Sequence, residues 1–154
     1  PQISSKSASR CEKKREVLFD EICGRAVSYC VAWASVDEIE SINILNAAML
    51  AMKRAVEGLH IPADFALIDG NKTPPVEVPA RAVIKGDALS TSIAAASILA
   101  KVSRDRLMLE LAEDYPQYGF EKHKGYGTKY HIEMLREYGP SPIHRPSFLT
   151  KILG

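Results

Sequence analysis

The sequence predicts an α/β protein, with helices alternating with short apolar strands. Three observations carry that expectation. Two apolar runs, Phe65-Ala-Leu-Ile68 and Ala80 to Ile84, each end in a turn built from Gly and Asp. Longer stretches around them repeat their apolar residues at helical period. The composition, 46% hydrophobic and 25% charged over 154 residues, is that of an ordinary globular chain, which excludes collagen-like, low-complexity and disordered classes.

Taken in order, residues 1–11 are Ser-rich without apolar period and read as a loose tail, leaving 12–154 as one domain. Glu12 to Gly24 places Val17, Leu18, Ile22 and neighbours on one helical face, with Gly24 as the stop. Val27 to Trp33 is β-branched and aromatic and reads as a strand. Ser35 and Glu38 have capping-box spacing for a short helix. A longer helix follows from about Ile42 to Gly58, its buried stripe being Ile44, Leu45, Ala48, Met52 and Val56. Next come the two apolar strands, with a Pro74-Pro75 loop between them. Ser90, Thr91 or Ser92 can cap a long helix to about Glu113, whose small residues IAAASILA suit close packing on a sheet. Tyr115 to Thr128 reads as a Gly- and aromatic-rich loop, Thr128 to Glu137 as an amphipathic helix, and SPIHRPSF as a loop-like tail.

Net charge is +1, with a basic surplus at both ends and an acidic middle: residues 17–100 hold six Lys/Arg against ten Asp/Glu. A solvated surface produces such a mixture, and so does a nucleic-acid groove beside a metal site. The longest apolar run, Ile93 to Ala100, is broken by Ser97 and falls short of the ~18 residues of a membrane span. No charged-then-apolar leader is visible, so secretion is not expected. Cys11, Cys23 and Cys30 lack zinc spacing, and Cys23 and Cys30 read as reduced core residues of a cytoplasmic protein.

Asp69 and Asp87 are the most informative residues. If their strands are parallel neighbours, both carboxylates emerge at the sheet edge where α/β proteins place ligands. Paired carboxylates repel unless a cation sits between them, and a hard divalent ion prefers carboxylate, water and phosphate oxygen. The same spacing also fits simple turn and cap residues. The loop from Tyr118 to Gly127 interleaves aromatics with Lys122, His123 and Lys124, which suits phosphate contacts and stacking on a sugar or base, or a packed glycine loop. His144-Arg145 can bring a basic pair to a phosphate, or form a latch with Phe148 in the core. Asp105 reads as a surface or supporting ion-pair residue, the run Asp37-Glu38-Ile-Glu40 as acids at a helix start, and Lys13-Lys14-Arg15 as a solvated face.

The segments NILNAAMLAMKRAV, LIDGN, KGD, AAASILAKVSRD, YGFEKHKGYGT and HRPSF together resemble bacterial ribonuclease HII, in order from about Glu12 to the C-terminus. The resemblance implies an RNase H-like fold, a mixed sheet flanked by helices. It implies an endonuclease using four acids and two Mg²⁺ or Mn²⁺ ions on the RNA strand of RNA–DNA hybrids or on ribonucleotides embedded in duplex DNA. The expected ends are 5′-phosphate and 3′-hydroxyl. By motif, Asp69 and Asp87 correspond to the third and fourth acids, and Tyr126 of HKGY to the residue under the sugar at the ribo–deoxyribo junction. Lys122, Lys124, His144 and Arg145 are candidate phosphate contacts. The family's first-strand motif DEAGRG, carrying the other two acids, does not occur in this sequence, and Asp37-Glu38 aligns instead with a helical region of the family. Ser4-Ser5-Lys6 is at best a remnant of the family's DSK motif.

The expectation is therefore a fold lacking the family's first strands, with three strands left, an open sheet edge and exposed apolar helix surface. Cleavage is expected to be impaired, and the chain is expected to be a monomer that does not associate with membranes. The alternatives are a non-catalytic nucleic-acid-binding remnant and a nonfunctional fragment.

Overall fold

The computed structural model describes residues 12–153, so the tail expected over 1–11, with Cys11, lies outside the described residues. The chain divides into two compact units. The first runs to Ala34 and resumes over Leu45–Val102; the second takes Ser35–Ile44 and the residues from Ser103 onward.

In the first unit, α1 spans Glu12–Arg25, with an acid in its first turn, a base in its last, and an Arg25–Glu21 ion pair at 2.7 Å. Leu18, Phe19 and Ile22 pack on Ile98 and Val102. Val17, expected on that face, is 68% exposed; Phe19 takes its place.

Residues 26–35 are irregular, so the strand expected over Val27 to Trp33 is not formed. The described residues hold two strands rather than three. A strand needs a ladder partner, and apolar β-branched residues do not supply one. Side chains serve this segment instead. Arg54 donates to the Trp33 carbonyl at 2.9 Å, Ser28 Oγ bonds His60 Nδ1 at 2.9 Å, and Cys30 packs on Gly58. Cys23 and Cys30 are free and only half-buried, not core residues.

Helix α2, Val36–Glu57, opens with the expected capping box: Ser35 N–H donates to Glu38 Oε2 at 2.8 Å, and Glu38 N–H to Ser35 Oγ at 3.1 Å. Asn43 (φ 67°, ψ 163°) breaks it into the short and long helices foreseen, and the two belong to different units. In the long part Ala47 is buried and Ala48, Met52 and Val56 are half-buried, while Ile44 and Leu45 are exposed against expectation.

Strands β1 (Ala66–Asp69) and β2 (Ala80–Val83) pair in parallel, Ala66 opposite Ala80 and Asp69 opposite Val83. Gly70 N–H extends the ladder to the Val83 carbonyl at 3.1 Å. A one-turn helix absent from the sequence reading, α3 (Gly86–Leu89), follows from Lys85 in the left-handed conformation (φ 56°). Helix α4, Thr91–Asp114, starts at Ser90, whose Oγ accepts the Ile93 N–H at 3.5 Å. Ile93, Ala94, Ile98, Leu99 and Val102 are its buried residues in this unit. Val27, Ile84 and Leu89 are exposed.

The second unit holds the rest of α4, a 3₁₀ turn at Pro116–Tyr118, α5 (Phe120–His123), α6 (Lys129–Tyr138) and α7 (Pro146–Leu153). The region from Tyr115 to Thr128 is thus two helical turns rather than open loop. The tail expected as a loop is a helix: Pro146 fits its first position, where no N–H is needed, and the Arg145 carbonyl accepts from Phe148 and Leu149 at 3.0 Å. Met108, Tyr118, Phe120 and Leu135 form the core, with Phe148, Leu149 and Ile152 packed against it. Thr128, expected as the first residue of this helix, instead caps α6 by accepting the His131 N–H at 3.3 Å. Asp105 is 5% exposed, so it is a buried residue rather than a surface one.

Candidate functional site

The parallel register brings the ends of β1 and β2 to one edge of the sheet, and Asp69 is the last residue of β1. Asp69 Oδ1 accepts the Gly86 backbone N–H at 2.8 Å, which ties the strand end to the turn entering α3. Asp87 is the next residue, in the first turn of that helix. The edge anticipated from IDG and KGD is therefore built by a parallel pair, a left-handed Lys85 and a closely packed Gly86. A Cβ at Gly86 would stand 2.5 Å from Ile93 Cδ1, 3.3 Å from Val83 Cβ and 3.4 Å from Asp69 Oδ1. Only glycine brings its N–H this close to the carboxylate without displacing a neighbour.

Both aspartates are exposed, so their carboxylates are open to water and to an approaching polyanion. The donor set is hard oxygen. Such oxygen is the donor type of a divalent ion of the Mg²⁺ kind, which takes one or two carboxylates and completes its shell with water and substrate phosphate. Among the described residues no group of three or more His, Cys, Asp or Glu side chains forms a protein cage for a metal.

The loop carrying Tyr126 belongs to the second unit. Lys124 (φ 50°) and Gly125 (φ 78°) are both left-handed, and they reverse the chain before Tyr126, whose side chain belongs to a residue 60% exposed. The Arg104 guanidinium lies 5.3 Å from the Tyr126 ring centroid, a cation–π contact. Arg104 Nη1 is buried without a hydrogen-bond partner. Sequence reasoning passed over Arg104, because only the fold brings its helix to this loop. Lys122 is exposed, with Nζ 5.0 Å from the Tyr130 ring and 3.9 Å from Glu121 Oε1. Lys124 Nζ donates to the Glu121 carbonyl at 3.0 Å. Arg145 is half-buried, its carbonyl committed to α7.

His144 departs from the expectation of a phosphate contact. It is buried with both ring nitrogens engaged: Ser141 N–H donates to Nδ1 at 3.1 Å, and Nε2 lies 3.0 Å from His131 Nε2. Burial and the neighbouring His131 push its pKa down to about 4. Burial likewise lowers His131, whose Nδ1 bonds the Tyr126 carbonyl at 3.0 Å. His123 stacks on His131 with centroids 4.3 Å apart. The other half of the expectation for this segment holds, since Phe148 packs on the core and on His131.

A family model described as Ribonuclease HII matches residues 5–151, beginning earlier than the sequence reading placed the resemblance. The chain belongs to the ribonuclease HII family. It is 58% identical over 136 residues to ribonuclease HII of Burkholderia thailandensis, an overlap covering 88% of this chain and 64% of that protein. It is 59% identical to the Paraburkholderia xenovorans ribonuclease HII, covering 88% of this chain and 55% of the relative. Against the Desulforamulus reducens ribonuclease HII the figures are 56% identity, 88% and 69%. The chain thus spans roughly two thirds or less of the length of these relatives. The crystal structure of ribonuclease H2 from Pyrococcus horikoshii superposes with a TM-score of 0.78, covering 96% of this chain and 79% of that one at 24% identity. That likeness shows the RNase H-like fold. The matched residues run through both units and include both the Asp69–Gly86 edge and the Tyr126 loop.

Proposed function

We propose that this chain serves endonucleolytic hydrolysis of the RNA strand of RNA–DNA hybrids, and of ribonucleotides embedded in duplex DNA, leaving 5′-phosphate and 3′-hydroxyl ends. The observation that carries the reading is the Asp69 carboxylate held by Gly86 N–H at the end of paired parallel strands, with Asp87 next in the chain. Family membership supports a ribonuclease H type of chemistry.

Asp69 and Asp87 would hold Mg²⁺ or Mn²⁺. A divalent ion there supplies charge neutralisation to a scissile phosphate and favours the attacking and leaving oxygens. Gly86 N–H orients Asp69 by occupying one lone pair of Oδ1, which leaves Oδ2 for a cation. Tyr126 offers a ring to a ribose at the junction, with Arg104 behind it adding positive charge. Lys122, Lys124 and Arg145 are phosphate contacts in this reading, and His144 supports the loop from within. Residues 12–154 act as one domain, a cytoplasmic monomer without membrane association. Among the described residues no helix is long and apolar enough to cross a membrane.

Two carboxylates are fewer than a pair of metal ions requires, so the 154-residue chain on its own is expected to bind the cation weakly and cut slowly. A labelled duplex with one ribonucleotide, incubated with the chain in Mn²⁺ or Mg²⁺, tests both statements. Trace cleavage at the ribonucleotide, lost in Asp69→Asn, is the expected result. Near-normal turnover would refute the impairment. Duplex binding that weakens with salt, without any cutting in either metal, would favour the non-catalytic binding reading, which the Arg104–Tyr126 contact also supports.

A further inference from the structure

We propose that His144 and His131 are positioning residues for Tyr126, linked by a directional hydrogen-bond chain that ends on the Tyr126 carbonyl. Its use at a ribonucleotide junction rests on the proposed function; the positioning itself does not.

The direction follows from the backbone groups at each end. Ser141 N–H is a donor, so His144 Nδ1, 3.1 Å away, is the acceptor and the neutral ring carries its proton on Nε2. His144 Nε2–H then donates to His131 Nε2 at 3.0 Å. His131 therefore carries its proton on Nδ1 and donates to the Tyr126 carbonyl at 3.0 Å. That carbonyl also accepts Thr128 N–H at 2.8 Å, so both of its lone pairs are used. His131 reaches the same loop a second time, its backbone N–H donating to Thr128 Oγ1 at 3.3 Å.

His123 holds the other side of Tyr126. Its Nδ1 accepts Gly125 N–H at 3.2 Å, and its Nε2–H donates to the Tyr118 carbonyl at 2.8 Å. Three buried imidazoles thus fix the peptide groups on either side of an exposed tyrosine. The groups facing the His131–His144 pair are His123, Tyr118, Phe120, Phe148 and Ser141. Protonating His131 would set two N–H groups against each other at the Nε2–Nε2 contact and break the chain, whereas a proton added to His144 would go to Nδ1 and face Ser141 N–H.

The test uses the 154-residue chain and four variants. His131→Phe and His144→Phe keep an aromatic ring and remove the chain. His131→Asn keeps a donor at the Nδ1 position, and His144→Gln keeps one at Nε2. Amide exchange at Thr128 is read against Leu135 in α6 as an internal standard. Losing one buried hydrogen bond is worth about tenfold in an opening equilibrium. Thr128 is therefore expected to exchange about tenfold faster in His131→Phe, with Leu135 unchanged and the rate restored in His131→Asn. His144→Phe should move Thr128 in the same direction, and His144→Gln should reverse it. Thr128 tracking Leu135 in every variant would overturn the proposal. Imidazole ¹⁵N shifts of the unsubstituted chain give a variant-free check, expected to show Nε2–H for His144 and Nδ1–H for His131; the opposite tautomers would overturn it too.

Affinity for a duplex with one embedded ribonucleotide, relative to all-DNA duplex, carries the result to function. His131→Phe should erode that ratio more than overall affinity, and an unchanged ratio despite faster Thr128 exchange would refute the link to recognition. Absence of any preference in the unsubstituted chain would refute the ribonuclease reading, while the exchange and tautomer measurements still decide the positioning.

Discussion

Gly86 donates its backbone N–H to Asp69 Oδ1 at 2.8 Å across the turn that joins β2 to α3. That bond couples the geometry of the sheet edge to a residue without a side chain.

Gly86→Ala should therefore cost both stability and cation binding. The new methyl must push aside the end of Ile93 and crowd Val83 and Asp69. Overpacking of this kind costs about 1–3 kcal/mol. Urea unfolding followed by a Mn²⁺ titration checks the two effects separately.

Asp69→Asn keeps an oxygen for Gly86 N–H and removes the charge. Stability should stay nearly constant while Mn²⁺ affinity falls by roughly tenfold or more, the expected result of losing one of two anionic ligands. Calorimetric titration and a thermal melt on the same sample are the measurements. An unchanged affinity would remove Asp69 from the site.

The second unit should lose stability in mild acid. His144 and His131 have folded pKa values below the ordinary imidazole value, His144 at about 4. The unfolded chain, with histidine near 6.5, then binds more protons than the folded one as pH falls. Their contribution is present in full above about pH 6.5 and is lost progressively towards pH 4. Melting temperatures across that range should fall, and His144→Gln should flatten the slope.

Glu40 offers a test of the start of α7. Its carboxylate accepts Ser147 Oγ–H at 2.6 Å and Ser147 N–H at 3.1 Å, at the positive end of the helix. Glu40→Ala should destabilise by about 0.5–1.5 kcal/mol, and a double-mutant cycle with Ser147→Ala should show that most of this is shared. From its local sequence Glu40 is only an acid at a helix start, because its partner lies 107 residues away.

Some elements were legible locally. The capping box at Ser35 and Glu38, the Ser90 cap and the helices they start follow from side chains reaching a few residues along the chain. The two strands were legible because apolar runs closed by IDG and KGD carry their own stop signals, while their parallel pairing was only a condition until the fold supplied it. These are short-range interactions, and the chain encodes them wherever it folds.

What failed locally failed for want of a partner. Val27 to Trp33 has strand chemistry but no ladder to join, and the Trp33 carbonyl turns to Arg54 instead. His144 beside Arg145 looks basic in sequence. Burial against Tyr118 and His131 makes it a neutral member of a hydrogen-bond chain. Arg104 and Tyr126 stand 22 positions apart in the sequence and meet only because α4 and the loop fold together. The sequence by itself determined the family, the Ser35 capping box and the two strands that end beside Asp69 and Asp87. Tertiary structure alone decided which polar groups are desolvated and which pairs meet, because burial and long-range contact belong to the folded chain and not to any window of it.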